Sequence, residues 1–156
     1  MEGMATKLEM LRKAVLFENF TDSELEQVAN AVAERWVSAT HFVFREGDLG
    51  DSLFLIQSGE VEILKQNSDG LEVRVSILQE SVHFGEMAFV DRAPRAAGAR
   101  AVGALKLLEI RFDDLEKIVA TQPVIGLKLY HSIAKTLCTR IRRTNDQLTS
   151  FFLDLP

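Results

Sequence analysis

Hydrophobic positions near the start of the chain recur at the spacing of a helix. The residues on this apolar face are Leu25, Val28, Ala29 and Val32. A face with this period predicts a helix up to about residue 35. Just before it, Thr21 and Glu24 have the spacing of a capping box, and Phe20 and Leu25 are placed as its hydrophobic staple. The pattern predicts a helical lead over residues 7–35.

From residue 36 to residue 111 the pattern changes to short apolar runs separated by turn residues. The runs are residues 42–44, 53–56, 61–64, 73–78 and 105–110. Several short strands at near-regular spacing are typical of a β-sandwich or barrel. Asp69-Gly70 lies between two such runs and predicts a hairpin, because glycine accepts the positive φ that the turn requires.

The last third of the chain returns to helical spacing. Residues 112–121 carry Leu115, Ile118 and Val119 on one face, and this helix ends before Pro123, which disfavours helix at the preceding residue. A longer helix is predicted over residues 124–151. The C-terminal helices together cover residues 112–151.

Within the longer helix, seven residues alternate steps of four and three. They are Tyr130, Ala134, Leu137, Ile141, Thr144, Leu148 and Phe151, and we call this row the seam. A heptad seam can pair two helices as a coiled coil, which favours a homodimer through helix 124–151. The alternative is that the same face packs on its own barrel.

Composition limits the classes of protein that fit this pattern. The chain has 156 residues, of which 47% are hydrophobic, and it contains no repeat or low-complexity linker, so we expect a single domain over 1–156. Its formal net charge of −5 does not indicate a basic surface that would bind nucleic acid or an anionic membrane. Cys138 is the only cysteine, which excludes an intrachain disulfide. No signal peptide or membrane span is apparent, so we expect a cytoplasmic protein without membrane contact.

The segment 84–97 carries the most specific chemistry, with the sequence Phe-Gly-Glu-Met-Ala-Phe-Val-Asp-Arg-Ala-Pro-Arg-Ala-Ala. Gly85 lets the backbone approach a ligand, and a short helix beginning at the next residue points free N–H groups outward, as phosphate sites require. Arg95 can grip a phosphate with two charge-assisted hydrogen bonds. Ala96 and Ala97 keep their backbone N–H groups accessible.

Glu86 lies in the same segment and is unfavourable beside an anion unless a sugar is also bound. A carboxylate is a natural acceptor for a ribose hydroxyl, as in dinucleotide sites. One acidic residue, one arginine and a helix start among small residues together indicate a ribose-phosphate ligand.

Segment 84–97 resembles the phosphate-binding cassette of cyclic nucleotide-binding domains, typified by bacterial catabolite activator proteins and regulatory subunits of cAMP-dependent kinase. Two upstream motifs support the resemblance: Phe-Arg-Glu-Gly-Asp at 44–48 and Ile-Gln-Ser-Gly-Glu-Val at 56–61. Three separated motifs in the correct order are specific, and the resemblance covers residues 17–141. It implies a mainly β fold, an eight-stranded jelly roll (double-stranded β-helix) with an N-terminal helix and C-terminal helices.

The resemblance also assigns roles to individual residues. It implies that Gly85 and Glu86 hold the ribose, that Arg95 pairs with the cyclic phosphate, and that Ala96 and Ala97 supply backbone donors. The full set of predicted ligand-binding residues is Phe84, Gly85, Glu86, Met87, Arg95, Ala96, Ala97, Val75 and Arg140.

Two members of that set lie outside the cassette. Arg140 would reach the base of the ligand from the long helix; the alternative is that the cluster Arg140, Arg142 and Arg143 forms a solvated face. Val75, like Val73, either touches adenine or fills the core, and the core is favoured.

The nature of the ligand follows from the residue after the arginine. Family members that prefer cGMP often carry threonine there, where this chain has Ala96. We therefore expect cAMP, with cGMP the other possibility. The chain departs from the family pattern at residues 81–83, where Ser-Val-His replaces a Gly-Asp or Gly-Glu turn, and at Gly98-Ala99, where a Thr-Val pair is usual.

No enzyme is expected. His41, His83 and His131 are widely separated, which argues against a metal site, and there is no nucleophile motif.

We expect a cyclic nucleotide sensor or regulatory module whose C-terminal helix closes over the ligand and acts on an effector protein that the sequence does not identify. The alternative is a degenerate domain that no longer binds nucleotide and serves protein docking or dimerisation. Because the sequence ends soon after the long helix, DNA binding by this chain alone is not expected.

Overall fold

In the computed structural model, which describes residues 2–153, the helical lead is divided into separate elements. Helix α1 spans Glu2–Lys13, a 3₁₀ helix spans Val15–Phe17 and helix α2 spans Asp22–Asn30. The predicted capping box begins α2. Thr21 Oγ1 accepts the backbone N–H of Glu24 at 3.3 Å, and Glu24 Oε2 accepts the backbone N–H of Thr21 at 2.8 Å.

The predicted end of this lead at residue 35 is wrong. Helix α2 ends at Asn30, and strand β1 spans Val32–Val37. Every residue of β1 pairs antiparallel with a partner in strand β8, Leu105–Arg111, and the two valines at its ends are buried. Val32 continues the helical period by chance, because burial and pairing with β8 outweigh local periodicity.

Of the six remaining strands within the described residues, the first four, like β8, follow the predicted apolar runs, whereas the last two coincide with none of them. The six strands are β2 Phe42–Phe44, β3 Ser52–Ser58, β4 Val61–Gln66, β5 Glu72–Leu78, β6 His83–Phe84 and β7 Gly98–Ala101. Within residues 2–153 the strands form two four-stranded antiparallel sheets, in the orders β1-β8-β3-β6 and β2-β7-β4-β5. The prediction of a mainly β fold with flanking helices is confirmed.

The predicted hairpin joins β4 to β5. Gly70 has a φ of +77°, and Asn67 Oδ1 accepts the backbone N–H groups of Asp69 and Leu71 at 3.0 and 2.9 Å. Farther along the hairpin, the pairing contains a bulge. Ile63 pairs with Ser76 and Leu64 pairs with Arg74, so the residue between these two partners, Val75, has no partner in β4.

Three helices complete the described chain. Helix α3 spans Met87–Asp91, α4 spans Phe112–Thr121 and α5 spans Pro123–Leu153. The predicted positions of the last two helices agree with these bounds. None of the helices within the described residues is both long and apolar enough to cross a membrane.

The core divides into two clusters of buried side chains. One joins the helices to the first sheet and includes Leu16, Leu108 and Leu129. The other fills the space between the two sheets and includes Phe54 and Leu107. At the margin of these clusters, where the second sheet meets α3 and α5, the packing leaves an open space.

Not all seam residues of α5 face away from the domain. The ring of Tyr130 stacks on Phe89 of α3 with centroids 5.6 Å apart, and Leu137 packs against the helical core cluster. The remaining seam residues are exposed: Ala134, Ile141, Thr144, Leu148 and Phe151.

Candidate functional site

A cleft lies between strands β4 and β5, the cassette at residues 84–97 and helix α5. It contains about 680 Å³ of empty space, part of it open to solvent. The predicted site residues that line it are Phe84, Gly85, Glu86, Met87, Arg95, Ala96, Ala97 and Arg140. The fold thus gathers one remote residue of α5 and seven residues of the cassette.

Val75 is the exception and requires a correction, because it does not line the cleft. It is the extra residue of the bulge in β5 and is 63% exposed, so the favoured prediction that it fills the core is also wrong. Ser76 and Leu78 line the cleft instead, together with Ile63 on the paired strand. Alternation along a strand could have indicated these three residues. A bulge, however, changes the face on which each later side chain lies, and the sequence alone does not show where the bulge is.

Arg95 is a buried cation without a carboxylate partner. Only 5% of it is exposed, and it forms no ion pair within the described residues. Nη1 donates to the carbonyl of Gly85 at 2.8 Å and Nη2 to the carbonyl of Ser52 at 2.6 Å, whereas Nε has no acceptor. Burial lowers the pKa of Arg95, opposed by nearby carboxylates of which Asp51 is the strongest, but an arginine in a protein stays charged. An anion in the cleft would supply the missing counter-charge.

Two glycines give the guanidinium of Arg95 its space. A Cβ at Gly85 would lie 2.8 Å from Arg95 Nη1, and the φ of +83° at Gly85 also disfavours any other residue. A Cβ at Gly50 would lie 2.7 Å from Cβ of Ala88 and 3.0 Å from Arg95 Cζ. The sequence did not reveal Gly50, because its role depends on a contact with a side chain far along the chain.

Glu86 is buried beside a cation from helix α5. It is 1% exposed, and Arg140 Nη1 donates to Glu86 Oε1. Arg140 Nη2 donates to the carbonyl of His83 at 2.8 Å. The hydrogen bond from Arg140 ties α5 to the cassette and leaves the second carboxylate oxygen of Glu86 as an acceptor at the cleft.

The backbone of the cassette offers two free donors. The N–H groups of Ala96 and Ala97 have no acceptor within residues 2–153, and both residues line the cleft. The unusual Gly98 and Ala99 that follow are buried in β7, pair with β4 and do not line the cleft. This departure from the family pattern leaves the lining of the cleft intact.

The chain's likeness to known proteins agrees with this geometry. The profile of the family described as "Cyclic nucleotide-binding domain" matches residues 34–122, which is more than half of the sequence. The chain belongs to the cyclic nucleotide-binding domain family. In this family context the three motifs at 44–48, 56–61 and 84–97 all fall within the matched region, and the predicted resemblance is confirmed.

Among individual members of the family, similarity extends over most of this chain. A CRP-like cAMP-activated global transcriptional regulator of Mycobacterium tuberculosis is 31% identical over 149 residues, which are 95% of this chain and 65% of the relative. A cAMP-dependent protein kinase regulatory subunit of Mucor circinelloides is 34% identical over 110 residues, 68% of this chain and 26% of the relative. This chain thus spans about two thirds of the bacterial relative and a smaller part of the fungal one.

Solved structures of the family show the same fold. The regulatory domain of Toxoplasma gondii PKA, crystallised with cAMP, has a TM-score of 0.70 and 33% identity, and the match covers 76% of this chain and 45% of that one. A cyclic nucleotide-binding domain from Methylobacillus flagellatus has a TM-score of 0.83 and 25% identity, covering 96% of this chain and 84% of that one. Both agree with the predicted jelly roll.

Ser81 and His83 occupy the family's usual Gly-Asp or Gly-Glu turn. Ser81 has a φ of +70°, a value that glycine adopts without strain, so the serine keeps the turn at some energetic cost. His83 is buried, and its Nε2 has no hydrogen-bond partner. Burial lowers the pKa of His83; Glu86 raises it and Arg140 lowers it to a smaller extent.

The lowered pKa of His83 predicts a specific loss of stability in weak acid. Below about 6.5, the ordinary pKa of histidine, the unfolded chain gains a proton on this imidazole while the folded chain does not. The free energy of unfolding therefore falls as the pH drops from about 7 to about 5, by at most about 1.4 kcal/mol per pH unit from this residue. Urea unfolding across this range should show that His83→Gln reduces the slope, whereas the same change at exposed His41 leaves it as in the parent. Equal slopes for parent and His83→Gln would contradict the assignment.

Proposed function

We propose that this chain is a non-enzymatic sensor that binds a cyclic nucleotide, with cAMP as the preferred ligand. The observation that carries the proposal is Arg95, a buried cation that lines the cleft and has no carboxylate partner within residues 2–153. A buried charge is strongly unfavourable until an anion reaches it. A cyclic phosphate is the anion that the surrounding groups fit.

The cleft offers complementary groups for the two polar parts of such a ligand. Arg95 and the free N–H groups of Ala96 and Ala97 face an anion, and Gly85 leaves the backbone room to approach. Glu86 is the acceptor for a ribose hydroxyl, and its other oxygen stays bound to Arg140. Phosphate and ribose are thus held by residues of opposite charge within one short segment.

The far wall of the cleft suits a base. Ile63 and Leu78 provide apolar surface, Ser76 provides one hydroxyl, and Met87 adds a flexible thioether. Ala96 beside the arginine favours cAMP over cGMP, and the names of both the mycobacterial relative and the Mucor kinase subunit refer to cAMP.

The signal leaves the site through helix α5. Arg140 links α5 to Glu86, and the Tyr130–Phe89 stack links α5 to α3. A ribose hydroxyl on the free oxygen of Glu86 uses the same carboxylate that Arg140 binds, so the ligand changes the strength of this link and favours one arrangement of α5 over another. The effector is a protein rather than DNA, in keeping with the net charge of −5.

A thermal-shift titration tests this function. At about 100 times its Kd, cAMP should stabilise the chain by about 2.7 kcal/mol, which raises Tm by roughly 5–10 °C for a domain of this size. cGMP at the same concentration should produce a smaller shift. If neither nucleotide shifts Tm at millimolar concentration, the chain is a docking module that has kept only the fold.

We also propose that two copies pair through helix α5. The exposed seam residues Ile141, Leu148 and Phe151 leave an apolar row in water, which a second helix would cover. Ile141→Glu should make the chain monomeric in sedimentation, whereas Gln147→Glu, outside the seam, should leave a dimer. Leu137 is unsuitable for this test because it packs against the core. A parent chain that is monomeric at high concentration would show that the seam does not pair.

A further inference from the structure

Lys65, on the β4 strand, reaches the cassette from outside the cleft. Its Nζ donates to the backbone carbonyl of Ala96 at 2.6 Å and to Glu46 Oε1 at 2.5 Å. Glu46 Oε2 in turn accepts the backbone N–H of Gln66 at 2.9 Å. The pKa of Glu46 is lowered, first by the hydrogen bond from Lys65 and then by that backbone N–H. The ammonium group of Lys65 is therefore held by two acceptors, Glu46 and the carbonyl of Ala96. Lys65 does not itself line the cleft.

The carbonyl that Lys65 binds belongs to the peptide that faces the cleft. The peptide between Ala96 and Ala97 is trans, so its C=O and its N–H point in opposite directions. With the carbonyl held by Lys65 outside the cleft, the N–H of Ala97 is directed the other way. Ala97 lines the cleft, and its N–H has no acceptor within the described residues.

Hydrogen bonds also fix the backbone on both sides of the Ala96–Ala97 peptide. Gly47 N–H donates to the carbonyl of Arg95 at 2.9 Å, and Arg95 N–H donates to the carbonyl of Asp48 at 2.8 Å. On the other side, β7 begins at Gly98 and pairs with β4. Between these fixed points, the bond from Lys65 sets the orientation of the Ala96–Ala97 peptide. An ammonium on the carbonyl also polarises the peptide and makes its N–H a stronger donor.

We propose that Lys65 is a positioning residue for the anion site, which orients the Ala97 N–H toward the ligand's phosphate without touching the ligand. This inference rests on the proposed function. The side chain of Lys65 is 52% exposed, so its long-range charge is screened by solvent and its effect acts through the hydrogen bond to Ala96. Lys65→Met, which keeps the length of the side chain and removes the ammonium, should weaken cAMP binding by about five- to ten-fold.

The control and rescue variants are available in the same chain. Lys13→Met removes a lysine of similar exposure that also pairs with a glutamate, Glu9, on α1, and it should bind cAMP as the parent does. Lys65→Arg retains a donor for the carbonyl and should recover most of the lost affinity. Glu46→Gln keeps the ammonium of Lys65 but weakens the hydrogen bond that holds it in place. This variant should lose less cAMP affinity than Lys65→Met. Circular dichroism verifies that each variant is folded.

Calorimetric titrations with cAMP and with its two phosphorothioate diastereomers distinguish positioning from a general structural role. Sulfur is a poorer acceptor than oxygen, so the parent should bind one diastereomer more weakly, namely the one that places sulfur at the Ala97 N–H. Lys65→Met should reduce the ratio of the dissociation constants of the two diastereomers by about three-fold or more. Equal weakening toward all three ligands, or no weakening, would overturn the inference. A parent chain that binds none of them contradicts the proposed function itself, which is a separate result.

Discussion

Arg95→Ala is expected to weaken cAMP binding by at least about ten-fold, which corresponds to about 1.4 kcal/mol. The reason is that Arg95 is the buried cation of the cleft and pairs with no carboxylate within residues 2–153. Hydrogen bonds between charged groups contribute about 1.5–3 kcal/mol, more than neutral ones. Calorimetric titration at low and high salt should also show a flatter salt dependence for the variant, because salt screens the charge pair that has been removed.

Arg100→Ala is the matched control for this variant. Arg100 is a partly buried arginine on β7, but it binds the carboxylates of Glu62 and Glu72 and does not line the cleft. Its loss should leave cAMP affinity unchanged. If Arg95→Ala binds cAMP as tightly as the parent, the phosphate is held elsewhere and the assignment of the cassette is wrong.

Glu86→Gln is expected to reduce the preference for cAMP over 2′-deoxy-cAMP. In the parent, the carboxylate of Glu86 accepts the ribose hydroxyl, a charge-assisted hydrogen bond that should give roughly ten-fold discrimination or more. Glutamine keeps the shape of the side chain but has no charge, so both the preference and the bond from Arg140 weaken. The ratio of the two dissociation constants, measured for parent and variant, gives the effect directly.

A second glutamate serves as the control for this measurement. Glu62 on β4 is also largely covered and also pairs with an arginine, Arg100, but it lies outside the cleft. Glu62→Gln should keep the ratio of dissociation constants at the parent value. An unchanged ratio in Glu86→Gln would mean that the ribose hydroxyl is bound by another group.

The sequence predicted those parts of the molecule that depend on local pattern. The capping box at Thr21 and Glu24, the hairpin at Gly70 and helices α4 and α5 each rest on residues close together in the chain. The cassette was predictable for the same reason, since its chemistry is concentrated in residues 84–97.

The features that the sequence did not predict depend on contacts between distant segments. The helical lead was extended too far because pairing between β1 and β8 cannot be read from the period of Val32. Both predicted locations of Val75, in the core and at the ligand, are wrong, because alternation along a strand does not show the bulge in β5. Lys65 and Gly50 act through Ala96 and Arg95, which lie about thirty or more residues away along the chain, so their roles appear only when the fold brings the segments together.

The most direct test of the central claim is a calorimetric comparison of cAMP with adenosine on the parent chain. The two ligands share the base and most of the sugar, but only cAMP carries the anion that Arg95 requires. We expect one cAMP per chain and a dissociation constant for cAMP at least about 100-fold below that for adenosine, in keeping with about 3 kcal/mol from the phosphate contacts. Equal affinities for the two ligands, or no heat of binding with cAMP, would contradict the assignment of this cleft as a cyclic nucleotide site.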